Sequence, residues 1–90
     1  MTERVNGYQI KITARAARDR DRLPEKVAAA CVEFIFGVLA AHPQRLGKPL
    51  AGPLAGQYSA RRGTYRVIYR IRDSSIEIVH VGHRADSYRQ

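Results

Sequence analysis

Residues 57–83 switch between apolar and polar side chains with a period of two, and turn residues interrupt them twice. A run of this kind can only be buried on one side as a β-meander. Gln57–Arg61 and Thr64–Ile71 flank an Arg62-Gly63 turn signal; Arg72-Asp73-Ser74-Ser75 is a second turn, and Ser75–Gly82 a third strand. Side chains alternate across a strand. In the middle strand Tyr65, Val67, Tyr69 and Ile71 therefore share one face, while Arg66, Ile68, Arg70 and Arg72 share the other. The first set is what a helical layer would cover. The second is largely cationic and is expected to face water or a ligand. In the last strand Val79, Val81 and His83 have one parity and Ile78 and His80 the other, and both look apolar. That pattern predicts a central strand.

Upstream, residues 1–7 read as a loose start. Tyr8, Ile10 and Ile12 alternate with Gln9 and Lys11, which predicts a short half-buried strand. Thr13 reads as the N-cap of a surface helix over 14–23, whose Asp19 and Asp21 lie among four arginines and are expected to form a solvated face. Pro24 and Glu25 open a second helix, with Val27, Cys31, Phe34, Ile35 and Val38 at helical spacing. Pro43 is expected to stop it after about Ala41. Residues 44–56, rich in glycine and proline, read as a connecting loop anchored by Leu46, Leu50 and Leu54. The whole predicts one α+β domain over 1–90: an N-terminal strand, a two-helix hairpin, then a three-stranded antiparallel meander. The helices are expected on one face of a mainly antiparallel sheet.

Charge narrows the partners. The 90 residues carry a formal net charge of +8, which favours a polyanion such as nucleic acid, or an acidic protein. Arginine supplies most of it, and guanidinium holds phosphate through two parallel hydrogen bonds. Cys31 is the single cysteine, so no intrachain disulfide is expected. No apolar run follows Met1 and none approaches the roughly 20 residues of a membrane span. The expected compartment is the cytoplasm, with no membrane partner.

Several chemistries find no support. No glycine-rich phosphate loop opens a helix, the cysteine and histidines lack zinc spacing, and the carboxylates are scattered. Neither a metal nor another cofactor is expected. Cleavage of RNA without a metal needs less: a base for the ribose 2′-OH, cations on the crowded phosphate, and an acid for the leaving 5′ oxygen. Histidine as a residue type can take up or release a proton near neutral pH, so His83 is the candidate base or acid. Arg66, Arg61 and Arg84 suit charge stabilisation, and Tyr88 can donate a proton or stack on a base. Arg62, Arg70 and Lys48 are further candidates for holding substrate. His80, inside a strand, reads as a core or rim histidine, and His42 as a helix-end residue.

The segments SARRGTYRVIYRI and IVHVGHRADSYR, with AARDRDRLPEKV, FIFG and RLGKPLAG before them, resemble the RelE/ParE superfamily of bacterial toxins, in its RelE-type branch. The resemblance runs from about Tyr8 to Arg89. It implies the toxin of a toxin–antitoxin pair that enters the ribosomal A site and cuts mRNA by 2′-OH attack, with a cognate antitoxin as inhibitor. The family's strand arginine falls on Arg66, its arginine after the last strand on Arg84, and its C-terminal tyrosine on Tyr88. Related branches carry a histidine where His83 stands. The chain departs from the family where basic residues alternate on the preceding strand, because Ser59 and Arg61 stand there, and it ends soon after Tyr88. The alternatives are a ParE-type member that inhibits DNA gyrase by binding alone, and a non-toxic RNA-binding module.

Overall fold

The computed structural model describes residues 2–5 and 7–83, the first four as backbone only. Six strands form one sheet: β1 (Thr2–Val5), β2 (Tyr8–Ile12), β3 (Lys48–Pro49), β4 (Gln57–Arg62), β5 (Tyr65–Arg72) and β6 (Ser75–His83). Their order is β1-β2-β6-β5-β4-β3. The meander β4-β5-β6 forms as expected, and every pairing is antiparallel except β2 with β6. The sheet is thus mixed, and β6 is central. Its two-residue connection from β4 to β5 places Gly63 at φ 60°, a left-handed conformation that glycine adopts freely.

Residues 2–5 are not a loose start. They pair antiparallel with β2, from Thr2 opposite Lys11 to Val5 opposite Tyr8. The outer edge of β2 would otherwise present unpaired N–H and C=O groups, which a neighbouring extended segment satisfies. The expected loop also carries structure. Pro43–Leu46 form a one-turn helix, α3, with proline at its start. Lys48–Pro49 add β3 to the sheet edge, and Gly52–Leu54 make a 3₁₀ turn.

Thr13 caps α1 (Ala14–Asp21) as the sequence suggests: its Oγ1 accepts the Ala16 N–H at 3.1 Å. The same hydroxyl donates to the Ile78 carbonyl at 2.9 Å, which ties the helix start to β6. The second helix, α2 (Glu25–Phe34), continues as a π-helical turn over Ile35–Leu39. A π turn holds more residues than an α turn and so rotates the residues that follow it. Leu39, 0% exposed, takes the core position expected of Val38, which is 41% exposed.

The core lies between α2 and one face of the sheet. It gathers Cys31, Phe34, Ile35 and Leu39 from the helix against Tyr65, Val67, Tyr69, Ile76, Ile78 and Val81 from β5 and β6. Tyr65 donates to the Ala30 carbonyl at 3.1 Å and meets the Phe34 ring edge-on at 6.2 Å. Tyr69 donates to the Pro43 carbonyl at 2.6 Å and stacks on Tyr58.

Candidate functional site

Directly opposed residues on neighbouring strands share a face. Tyr65, Val67 and Tyr69 point into the core, so their partners Arg62, Ala60 and Tyr58 on β4 lie on the same helix-bearing side. The other side carries three rows. One runs Arg61–Arg66–Gly82, the next Lys48–Ser59–Ile68–His80, and the third Gln57–Arg70–Glu77. Arg66 is half-buried, while Arg61 and Lys48 are exposed. This face holds the cations that the alternation of β5 predicts.

The face does not gather every residue singled out from the sequence. Arg62 belongs to the opposite side, where its guanidinium lies 5.3 Å from the centre of the Phe34 ring. Arg70 shares the open face, but its Nε sits 3.4 Å from the Glu77 carboxylate, and it is four residues along the strand from Arg66, about 13 Å away. Arg84 and Tyr88 lie outside the described residues. His83 ends β6 opposite Tyr65, on the helix-bearing side, whereas Arg66 stands on the other.

A bulge decides which histidine accompanies Arg66. Opposite the step from Ile68 to Tyr69, β6 advances from His80 to Ile78, so Val79 is an extra residue. An extra residue reverses the alternation beyond it. A regular strand would carry His80 into the core behind Ile78. With the bulge, Ile78 remains buried and His80 emerges on the open face opposite Ile68. The reversal returns Val81 to the core and turns His83 toward the side of Tyr65.

Helix α1 supplies the remaining groups. Strand β2 ends at Ile12, opposite Ile78, so among the described residues no strand pairs with β6 on this edge beyond that point. Asp19 of α1 fills the gap, where its Oδ2 accepts the Val81 N–H at 3.2 Å and meets Nδ1 of His80 at 2.6 Å. Both side chains are largely covered, 13% exposed for Asp19 and 20% for His80. Arg15 lies one turn earlier, its Nε 3.9 Å from the same carboxylate oxygen. A groove of about 370 Å³ brings Arg15, Ser59, Arg66 and His80 together over an apolar floor that includes Ile68 and Val79. A second groove, along α1, adds Arg18 and Arg22. Sequence reasoning left Asp19, Arg15 and His80 out of the site. Periodicity gave no sign of them, because the bulge and the point where β2 stops pairing with β6 are long-range features. Among the described residues no cluster of three or more histidine, cysteine or acidic side chains is placed to hold a metal.

Residues 10–88 match the family described as the ParE toxin of the type II toxin–antitoxin system parDE. A curated relative from Mycobacterium tuberculosis, Toxin RelE, is 60% identical over 84 residues, covering 91% of this chain and 87% of that protein. The chain belongs to this toxin superfamily. Toxin RelG of the same organism is 52% identical over 85 residues, covering 92% of this chain and 98% of its own length. Among solved structures, the RelBE2 toxin–antitoxin complex of M. tuberculosis superposes with a TM-score of 0.83 at 50% identity, over 87% of this chain and 99% of that one. The resemblance to the RelE-type branch is thus carried by identity as well as by fold. No helix among the described residues is long and apolar enough to cross a membrane.

Proposed function

We propose that this RelE-type toxin is a ribosome-dependent mRNA endoribonuclease that halts translation in the cytoplasm, and that a cognate antitoxin holds it in check. The observation that carries the reading is the open sheet face, which presents Arg66, Arg61 and Lys48 on the side opposite the α2 core. In the ribosomal A site this face binds the mRNA backbone. Arg66 and Arg61, with Arg84 from the tail, neutralise the scissile phosphate as the 2′-oxygen attacks. Tyr88 serves the acid side, where the leaving 5′ oxygen takes up a proton. The RelE–RelB complex from Pyrococcus horikoshii, 28% identical to this chain, and the M. tuberculosis complex each pair a toxin of this fold with an antitoxin, which supports the same partnership here.

The family description parDE favours one rival, inhibition of DNA gyrase by binding. Mapping the 5′ ends of transcripts on ribosomes treated with the toxin separates the two. The nuclease reading expects cuts within the A-site codon, and an Arg66→Ala chain of unchanged melting temperature that cuts about 100- to 1,000-fold more slowly. Uncut transcripts, together with inhibited supercoiling by gyrase, overturn it.

A further inference from the structure

We infer that His80, oriented by Asp19, is the general base of the cleavage reaction. This rests on the proposed RNA cleavage and adds to it a residue pair from the bulged strand and α1. Three observations carry it. The bulge at Val79 turns His80 out of the core and onto the face of Arg66. The ring lines the same groove as Arg66, Ser59 and Arg15. Its Nδ1 is committed to the Asp19 carboxylate at 2.6 Å.

A carboxylate accepts hydrogen bonds and does not donate them, so it fixes the proton on Nδ1. Nε2 is then the nitrogen with a free electron pair. It takes the proton from the ribose 2′-OH as the 2′-oxygen bonds to phosphorus. The bond from phosphorus to the 5′ oxygen breaks, and that oxygen takes a proton from water or from the acid already proposed. The products are a 2′,3′-cyclic phosphate and a 5′-hydroxyl. Asp19 stabilises the imidazolium formed in this step. It is a positioning residue, held in turn by the Val81 N–H.

A purely mechanical role, in which Asp19 and His80 only pin α1 to β6, makes different predictions. The test is single-turnover cleavage of ribosome-bound mRNA across a pH series, with Arg66→Ala as a reference. His80→Ala is expected to cut about 100-fold more slowly or worse. Added imidazole should restore part of the rate. The wild-type rate should climb from acid to neutral pH, and that limb should vanish in the variant. The titratable and charged groups lining the two grooves beside the ring are Asp19, Arg15, Arg18 and Arg22 from α1, Arg66 from β5 and His83 from β6, and His80→Ala leaves all of them in place. Asp19→Asn should lower the rate with its melting temperature checked in parallel; should it fail to fold, the imidazole rescue decides alone. His80→Ala cutting at the wild-type rate overturns the inference, as does a uniform loss at every pH without rescue. A slow Arg66→Ala beside a fully active His80→Ala leaves the nuclease reading standing and removes only the base. A wild-type chain that cuts nothing removes both.

Discussion

Tyr69 joins the helical layer to the sheet through one hydroxyl, and replacing it with phenylalanine tests that join without touching the cationic face. The ring is 0% exposed, stacked on Tyr58, and its hydroxyl donates to the Pro43 carbonyl at 2.6 Å. Tyr69→Phe keeps the ring and leaves a covered carbonyl without its donor. A lost hydrogen bond of this kind costs about 1–3 kcal/mol. For a domain this size each kcal/mol moves the melting temperature by about 4–8 °C. The pH dependence sharpens the test. Burial pushes the phenol up from its ordinary 10.0 to about 12; the Gly47 backbone amide pulls it down and Tyr58 adds to the rise. The folded value exceeds the unfolded one, so the unfolded chain gives up this proton first. The stabilisation is whole below pH 10 and is lost as pH rises through about 12. Two units correspond to about 2–3 kcal/mol. Denaturant melts of both chains should therefore differ by about 1–3 kcal/mol near neutral pH, and the difference should shrink across that alkaline window. A variant as stable as the wild type at neutral pH, or a difference that does not change with pH, refutes the argument.

Two further outcomes follow from the same core. A Cβ at Gly47 would land on the Tyr69 hydroxyl and 2.9 Å from its Cζ, against a ring that cannot retreat, so Gly47→Ala should cost about 1–3 kcal/mol in a thermal melt; a melt unchanged from wild type would show that α3 gives way instead. Cys31 is 1% exposed and burial pushes its thiol up to about 11, so iodoacetamide should label it only as fast as the chain unfolds, and labelling of the native chain at the rate of a free thiol would disprove its burial.

Much of this protein was open to reading along the chain, because alternation and capping are local. The period of two in β5 separates Tyr65, Val67 and Tyr69 from Arg66 and Arg70 whatever else the chain does. Thr13 caps α1 because a threonine hydroxyl before an alanine-rich run finds free N–H groups in any context. The composition of β6, apolar at both parities, already required neighbours on both sides. Pairing distant segments was another matter. Strand β1 exists because β2 has an edge to cover, and the π turn that substitutes Leu39 for Val38 answers to packing rather than to helical spacing. The histidines show the limit most sharply. Their parity in the sequence puts His80 in the core with Ile78 and leaves Val81 and His83 on the open face, which is right only for a strand without a bulge. One extra residue, Val79, opposite the step from Ile68 to Tyr69, reverses that alternation. The sequence alone determined that a basic sheet face would form and that Arg66 would stand on it. Only the tertiary structure decided which imidazole joins it, because a bulge belongs to the pairing of two strands and not to either strand by itself.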